Sequence, residues 1–257
     1  FWIEVHEDYD TKKVLEEISK FSYSPKISIV MPVYNVEEKW LSACIDSVLS
    51  QYYQNWELCI ADDCSTDEHI RPLLAAYEKQ DSRIKVVYRK ENGHISESSN
   101  SALEIATGEF VALLDNDDTL ADFALYEVVK LLNEHPQADL IYSDEDKLSE
   151  DNKRSQPFFK TDWAPDILLA TNYICHLGVY RKTIIDEIGG FRKGYEGAQD
   201  YDLVLRFTEK TKNIYHIQKV LYHWRMISNS TAVNPDSKGY AFEAGKKSLE
   251  DALDRRG

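Results

Sequence analysis

Positive charge is in short supply in this sequence: 30 lysines and arginines stand against 45 aspartates and glutamates, a formal net charge of −15 over 257 residues. That balance excludes the broad electrostatic attraction on which binding to DNA, RNA or an anionic bilayer rests. No nucleic-acid partner is expected, and a phosphate-bearing ligand needs a metal or a focused local site. Long apolar runs are also missing. None approaches the roughly 20 residues of a spanning helix, so no transmembrane segment is expected. The four cysteines, Cys44, Cys59, Cys64 and Cys175, form no CxxC pair and have no histidines at zinc-finger spacing. Cys59 lies in an apolar run and reads as a core residue. With no signal-peptide pattern, this cysteine usage points to a reducing, cytoplasmic setting, peripheral at the inner membrane face if the substrate is membrane-linked. Linkers, low-complexity tracts and internal repeats are absent too. The chain opens on Phe1-Trp2-Ile3 and closes on Asp254-Arg255-Arg256-Gly257 just after a helical pattern, which reads as an excised domain, so further domains are expected in the intact protein.

What is there is an alternation. After a polar, helical lead-in to Lys20, Ile27 to Met31 is a β-rich run ending at Pro32, which cannot continue a ladder. Trp40, Leu41, Cys44, Ile45, Val48 and Leu49 recur at helical spacing, and Trp56 to Ala61 is strand-like again. A helix near 70–79, a strand at 84–88, a helix near 96–106 and a strand at 110–114 continue the pattern. Alternating elements of this length predict a mostly parallel sheet covered by helices on both faces, with ligands at the carboxyl ends of its strands. Four polar clusters should therefore meet on one edge: Pro32-Val33-Tyr34-Asn35, Asp62-Asp63-Cys64-Ser65, Asn92-Gly93-His94 and Asp115-Asn116-Asp117-Asp118. Beyond Tyr142 the alternation loosens into helices and short strands that build a second wall. Tyr240 to Leu253 reads as a helix packed on the outside.

The chemistry of these clusters is readable but not unique. Asp115 and Asp117, alternate residues after a buried strand, offer hard oxygen ligands to Mg²⁺ or Mn²⁺; the same residues also suit a turn with Asp118 or Thr119 as an N-cap. Asp62-Asp63 suits ribose or base binding, or a helix entry. Asn92-Gly93 suits a nucleotide contact, or a tight turn using a positive φ at Gly93.

Taken in order, the motifs are more specific than any one of them. Ile29-Val30-Met31-Pro32-Val33-Tyr34-Asn35, Ser47-Val48-Leu49-Ser50-Gln51, Asp62 to Asp67, Asn92-Gly93 with Asn100 to Leu103, Gly108-Glu109-Phe110 and Leu114 to Asp118 come first. Gly189 to Arg192, Gln199 to Leu203 and Leu221 to Arg225 follow. Over residues 26 to 232 the chain resembles family 2 glycosyltransferases. The resemblance implies an α/β GT-A fold: a Rossmann-like, mostly parallel sheet flanked by helices, with an acceptor-side subdomain. Expected boundaries are a lead-in at 1–23, a GT-A domain at 24–232 split into a nucleotide half (24–118) and an acceptor half (119–232), and a C-terminal helix within 233–257.

The resemblance also implies roles. Pro32, Tyr34 and Asp63 contact the donor nucleoside, and Asn92, Gly93, His94, Asn100, Asp115 and Asn116 belong to the same nucleotide-sugar site, His94 where relatives often carry a basic residue. Asp115 and Asp117 correspond to the family's Asp-x-Asp signature, which holds the metal bridging the diphosphate. His223 stands where some relatives complete the metal shell, tilting the expectation from magnesium toward manganese; the other reading is a structural histidine near Trp224. Asp200 matches the general base, although Gln199 stands where many relatives carry a glutamate, removing one influence that would raise the Asp200 pKa. Asp144, Trp163, Tyr195 and Glu196 are acceptor-side candidates. The expected activity is inverting transfer of a sugar from a nucleotide-diphosphate donor, UDP favoured, to a carbohydrate or lipid-linked glycan acceptor in bacterial surface-polysaccharide synthesis.

Two other readings compete. A sugar-1-phosphate nucleotidyltransferase would carry a glycine-rich basic loop after the first strand, which Met31 to Asn35 is not. A catalytically silent sugar-binding module of a larger synthase would have lost the metal or base carboxylate, yet Asp115, Asp117 and Asp200 are all present.

Overall fold

The computed structural model describes residues 3, 5, 7–227 and 239–257. The end of the expected acceptor half and the start of the expected C-terminal segment, within 228–238, lie outside the described residues.

The first half follows the expected alternation. Strands β1 (Ile27–Val33), β2 (Trp56–Asp62), β3 (Ile84–Tyr88) and β4 (Phe110–Leu113) lie parallel in the order β3-β2-β1-β4. A lead-in helix α1 (Thr11–Ile18) is capped by Asp10, whose carboxylate accepts from the amides of Lys12 and Lys13. Helices α2 (Glu38–Leu49), α3 (Ile70–Gln80) and α4 (His94–Glu104) make the crossovers. Strand residues alternate between two buried clusters. Ile27, Ile29, Met31, Leu58 and Ile60 pack with α2 on one face, and Val30, Cys59, Ala61 and Val111 pack with Ala102 and Leu103 of α4 on the other. Burial on both faces explains why β1 and β2 read as near-continuous apolar runs.

Pro32 does not end β1 as expected; the strand continues to Val33. The β1–β4 register stops at Val30↔Leu113, so beyond it only β2 flanks Pro32 and no β4 carbonyl requires its missing N–H. The chain winds from β1 to β2 on one side, while β4 lies on the other. A crevice at the carboxyl ends is expected at such a reversal point.

The second half consists of β5 (Thr119–Leu120), α5 (Ala124–Glu134), β6 (Leu140–Leu148), β7 (Arg154–Phe158), α6 (Pro165–Ala170), β8 (Gly178–Arg181), α7 (Lys182–Glu187), α8 (Gln199–Thr208), β9 (Ile214–Arg225) and α9 (Gly239–Arg256). The sheet continues β4-β8-β6-β9-β5, with β7 branching from β6. Here the pairing is mixed: β8 runs antiparallel to both β4 and β6, β5 antiparallel to β9, and β6 parallel to β9. Helix α9 buries Ala244, Ser248 and Ala252. Opposite the crevice, buried Glu57 ties the base of the sheet together. It accepts from Ser28 Oγ at 2.7 Å and Lys85 Nζ at 2.6 Å and lies 2.9 Å from Lys26 Nζ. Burial alone would raise its pKa, but these donors hold it well below the ordinary carboxylate range.

Candidate active site

A cavity of about 940 Å³ opens at the reversal point between β1 and β4. Pro32, Val33 and Tyr34 form one side, Leu113 to Asp117 the floor, Asp63, Asn92 and His94 the second rim, and Cys175, His176, Glu196, Gln199 and Asp200 the far wall. The four polar clusters expected on one edge thus contribute to one cavity.

The turn from β4 to β5 gives its aspartates different duties. Asn116 is tied to β1, its Nδ2 donating to Pro32 O at 2.8 Å. Asp115 is half-exposed, and Asp117 lines the cavity beside it. Asp118 is not a helix cap. It is fully buried, accepting from Tyr222 Oη and from the Arg225 amide, each at 2.6 Å, and no helix starts there because Thr119 enters β5. Burial, with Asp117 and Asp115 nearby, raises the Asp118 pKa well above its usual value.

The histidine at this site is not the expected one. Along β9, side chains alternate between faces: Trp224 lines the cavity and Tyr222 stacks on His176. His223 therefore projects from the other face and hydrogen-bonds Asp146 Oδ1 through Nδ1 at 2.7 Å. His176 takes the place by the aspartates, Nε2 at 3.7 Å from Asp115 Oδ2 and Nδ1 at 3.4 Å from Glu145 Oε2. Burial would lower its pKa, but Asp115 and Glu145 outweigh burial and raise it well above the ordinary imidazole value. In the sequence His176 lies in an irregular stretch with no periodicity, just ahead of a short β run, and nothing local marks it as a site residue.

Carboxylates at Asp115 and Asp117 on a cavity floor are the oxygen donor set that suits Mg²⁺ or Mn²⁺. A softer set, Glu145, Cys175 and His176, has ligand atoms within 4.8 Å of one another. Glu145, however, already pairs with Lys160 Nζ at 3.1 Å, and burial pushes the Cys175 thiol up to about 11. That set therefore suits a hard cation less well than the aspartate pair does.

Not every expected nucleotide contact faces the cavity. Asp63 is buried at its rim, with Arg89 Nε at 2.8 Å and the Gly93 amide donating to it at 3.0 Å. Asn92 holds the same loop through Asp63 O, and His94, with φ +61°, is exposed at the start of α4. Asn100 is turned away from the cavity: its amide group donates to Phe191 O at 2.8 Å and accepts from Phe191 N at 2.9 Å, clamping the loop before α8.

Of the acceptor-side candidates, Glu196 lines the cavity while its carboxylate accepts from the Gly194 amide. The other three are engaged elsewhere. Asp144 is an interior position of β6, not a loop residue, bonded to the Lys160 amide and to His216 Nε2, both at 2.8 Å. Tyr195 is buried and donates to Asp251, anchoring α9. Trp163 packs against the second core cluster.

Asp200 lies in the first turn of α8, inside the helix and not at its cap. Its Oδ2 accepts from Asn172 Nδ2 at 2.9 Å. Burial raises its pKa, opposed by His176 and the helix amides.

A mixed sheet with this crevice and paired carboxylates is the architecture of the GT-A fold. S. aureus TarS, solved in complex with UDP-GlcNAc, superposes with a TM-score of 0.67 over 80% of this chain and 60% of that one, at 23% identity. The chain belongs to glycosyl transferase family 2, whose profile matches residues 28–189. It is 48% identical over 245 residues to the uncharacterized protein y4gI of Sinorhizobium fredii, covering 95% of this chain and 27% of y4gI. It is also 37% identical over 256 residues to the O-antigen biosynthesis protein RfbC of Myxococcus xanthus, covering 100% of this chain and 20% of RfbC. The chain thus spans only 20% to 27% of the length of these two relatives. Among the described residues no helix is long and apolar enough to cross a membrane.

Proposed function

We propose that this domain is an inverting, metal-dependent glycosyltransferase that moves a sugar from a UDP-sugar to a hydroxyl of a glycan acceptor during bacterial surface-polysaccharide synthesis. One observation carries the reading: Asp115 and Asp117 at the end of β4 and Asp200 at the start of α8 line the same cavity from two walls. The name of RfbC supports the polysaccharide assignment, and the UDP-GlcNAc complex of TarS supports a UDP-sugar donor.

Pro32, Tyr34, Asp63, Asn92 and His94 form the nucleoside side of the cleft. Asp115 and Asp117 would hold a divalent cation, Mn²⁺ or Mg²⁺, which would supply positive charge against the leaving diphosphate. Asp200 takes the proton of the acceptor hydroxyl as that oxygen bonds to the anomeric carbon, and the bond from that carbon to the diphosphate oxygen breaks on the opposite face, inverting the centre. A base whose pKa is raised by burial is stronger than an ordinary carboxylate, which suits proton abstraction near neutral pH.

Calorimetric titration with UDP, dTDP, GDP and CDP, with and without Mn²⁺, tests the reading. Binding of UDP that disappears with chelator is the expected result; no binding to any nucleotide rejects it.

A further inference from the structure

Nothing in the family resemblance or the expected site residues assigns a role to Asn172, which lies between α6 and β8. The residues that follow it, Tyr173 and Ile174, are buried at 3% and 0% exposure, and its own carbonyl accepts from Cys175 Sγ, so the backbone is held on its C-terminal side. The side chain reaches across 28 residues of sequence to Asp200, Nδ2 donating to Oδ2 at 2.9 Å. Its Oδ1 is buried and meets no protein donor. Turning the amide over would set that oxygen against the carboxylate, so chemistry fixes the orientation. The contact that the Asn172 amide makes with a protein side chain is therefore the one to Asp200.

Resting on the transferase reading above, we propose that Asn172 is the positioning residue of the base: it pins one oxygen of Asp200 and leaves the other aimed at the acceptor hydroxyl. The amide donor also favours the charged form of Asp200, opposing the upward push of burial.

The test measures UDP release from UDP-glucose, UDP-galactose and UDP-GlcNAc with Mn²⁺, water serving as acceptor, for the unaltered chain, Asn172→Ala and the same-sized Asn172→Asp. UDP affinity is measured by calorimetry in parallel. Expected is a fall in kcat of about tenfold or more in both variants, with UDP affinity held within about twofold. The acid limb of the kcat profile should move to higher pH in Asn172→Ala, because the carboxylate has lost a donor, and further in Asn172→Asp, because a second carboxylate faces it. If Asn172→Ala fails to fold, the isosteric aspartate variant decides. Unchanged kcat and acid limb, or a loss that appears only as weaker UDP binding, overturns the proposal. If the unaltered chain neither binds UDP nor turns over any of the three donors, the transferase reading fails first and takes this role with it.

Discussion

The ring of Tyr222 stacks on the imidazole of His176, centroids 4.6 Å apart at 24°, while its hydroxyl donates to buried Asp118 at 2.6 Å and accepts from the Asp115 amide at 3.2 Å. One side chain thus ties β9 to both the acidic turn and the histidine of the cleft. Tyr222→Phe keeps the stacking and removes the hydroxyl, leaving the Asp115 amide unpaired and Asp118 with one donor fewer. A stability loss of about 1–3 kcal/mol is expected in urea unfolding, together with weaker metal-dependent UDP binding as the turn loosens. Wild-type values of both would show that the hydroxyl does not hold the turn.

The two histidines separate cleanly by experiment. His176→Ala removes the side chain beside Asp115 and should lower UDP release while the chain stays folded. His223→Ala strands the buried Asp146 Oδ1 contact and should lower the melting temperature with little change in Mn²⁺-dependent UDP affinity. The reverse pattern would assign the metal-dependent step to His223 and leave His176 with a structural role.

Asp117→Asn should weaken Mn²⁺-dependent donor binding, and stripping the metal with chelator should bring the unaltered chain to the same level. Metal-stimulated turnover that survives in Asp117→Asn would exclude this carboxylate as a ligand.

Asp200→Asn should bind UDP normally yet lose transfer by a factor of about 10² to 10⁴, the usual range for a general base. The pH dependence has a definite sign. As the proposed base Asp200 would work as the carboxylate, and burial raises its pKa, so activity should fall as pH drops through a point above the ordinary carboxylate range. An acid limb at the value of an exposed aspartate would argue against Asp200 as base.

Glu57→Gln tests the far end of the sheet. Glu57 has its pKa lowered in the folded state, so it stabilises the fold above its unfolded pKa, and that contribution is lost as pH falls through the folded value. The variant should be destabilised by roughly 1–3 kcal/mol at neutral pH, and the difference from the unaltered chain should shrink in strong acid. Nucleotide affinity should not change, because the residue lies at the opposite end from the crevice.

The alternation of apolar runs was enough to read β1 to β4 and their crossover helices, because parallel strands buried on both faces leave a continuous local signature. It was also enough to collect Asp63, Asn92, His94 and Asp117 at one edge, since period and topology place strand ends together. Side-chain direction in the second half was not legible in the same way. Asp144 stands among the acceptor-side candidates in sequence, yet Asp144, Glu145 and Asp146 form an interior stretch of β6 whose charges are met by Lys160, His216, Arg154 and His223, partners 8 to 77 residues away. The choice of His176 over His223 turned on the alternation of β9 against its neighbours, and the turn of Asn100 toward Phe191 turned on a contact 91 residues distant. Local pattern therefore determined the elements and the edge where the chemistry gathers. Which polar groups face the crevice and which hold the fold together was decided only by the tertiary pairings, because a buried charge must find its partner in space whatever its distance along the chain.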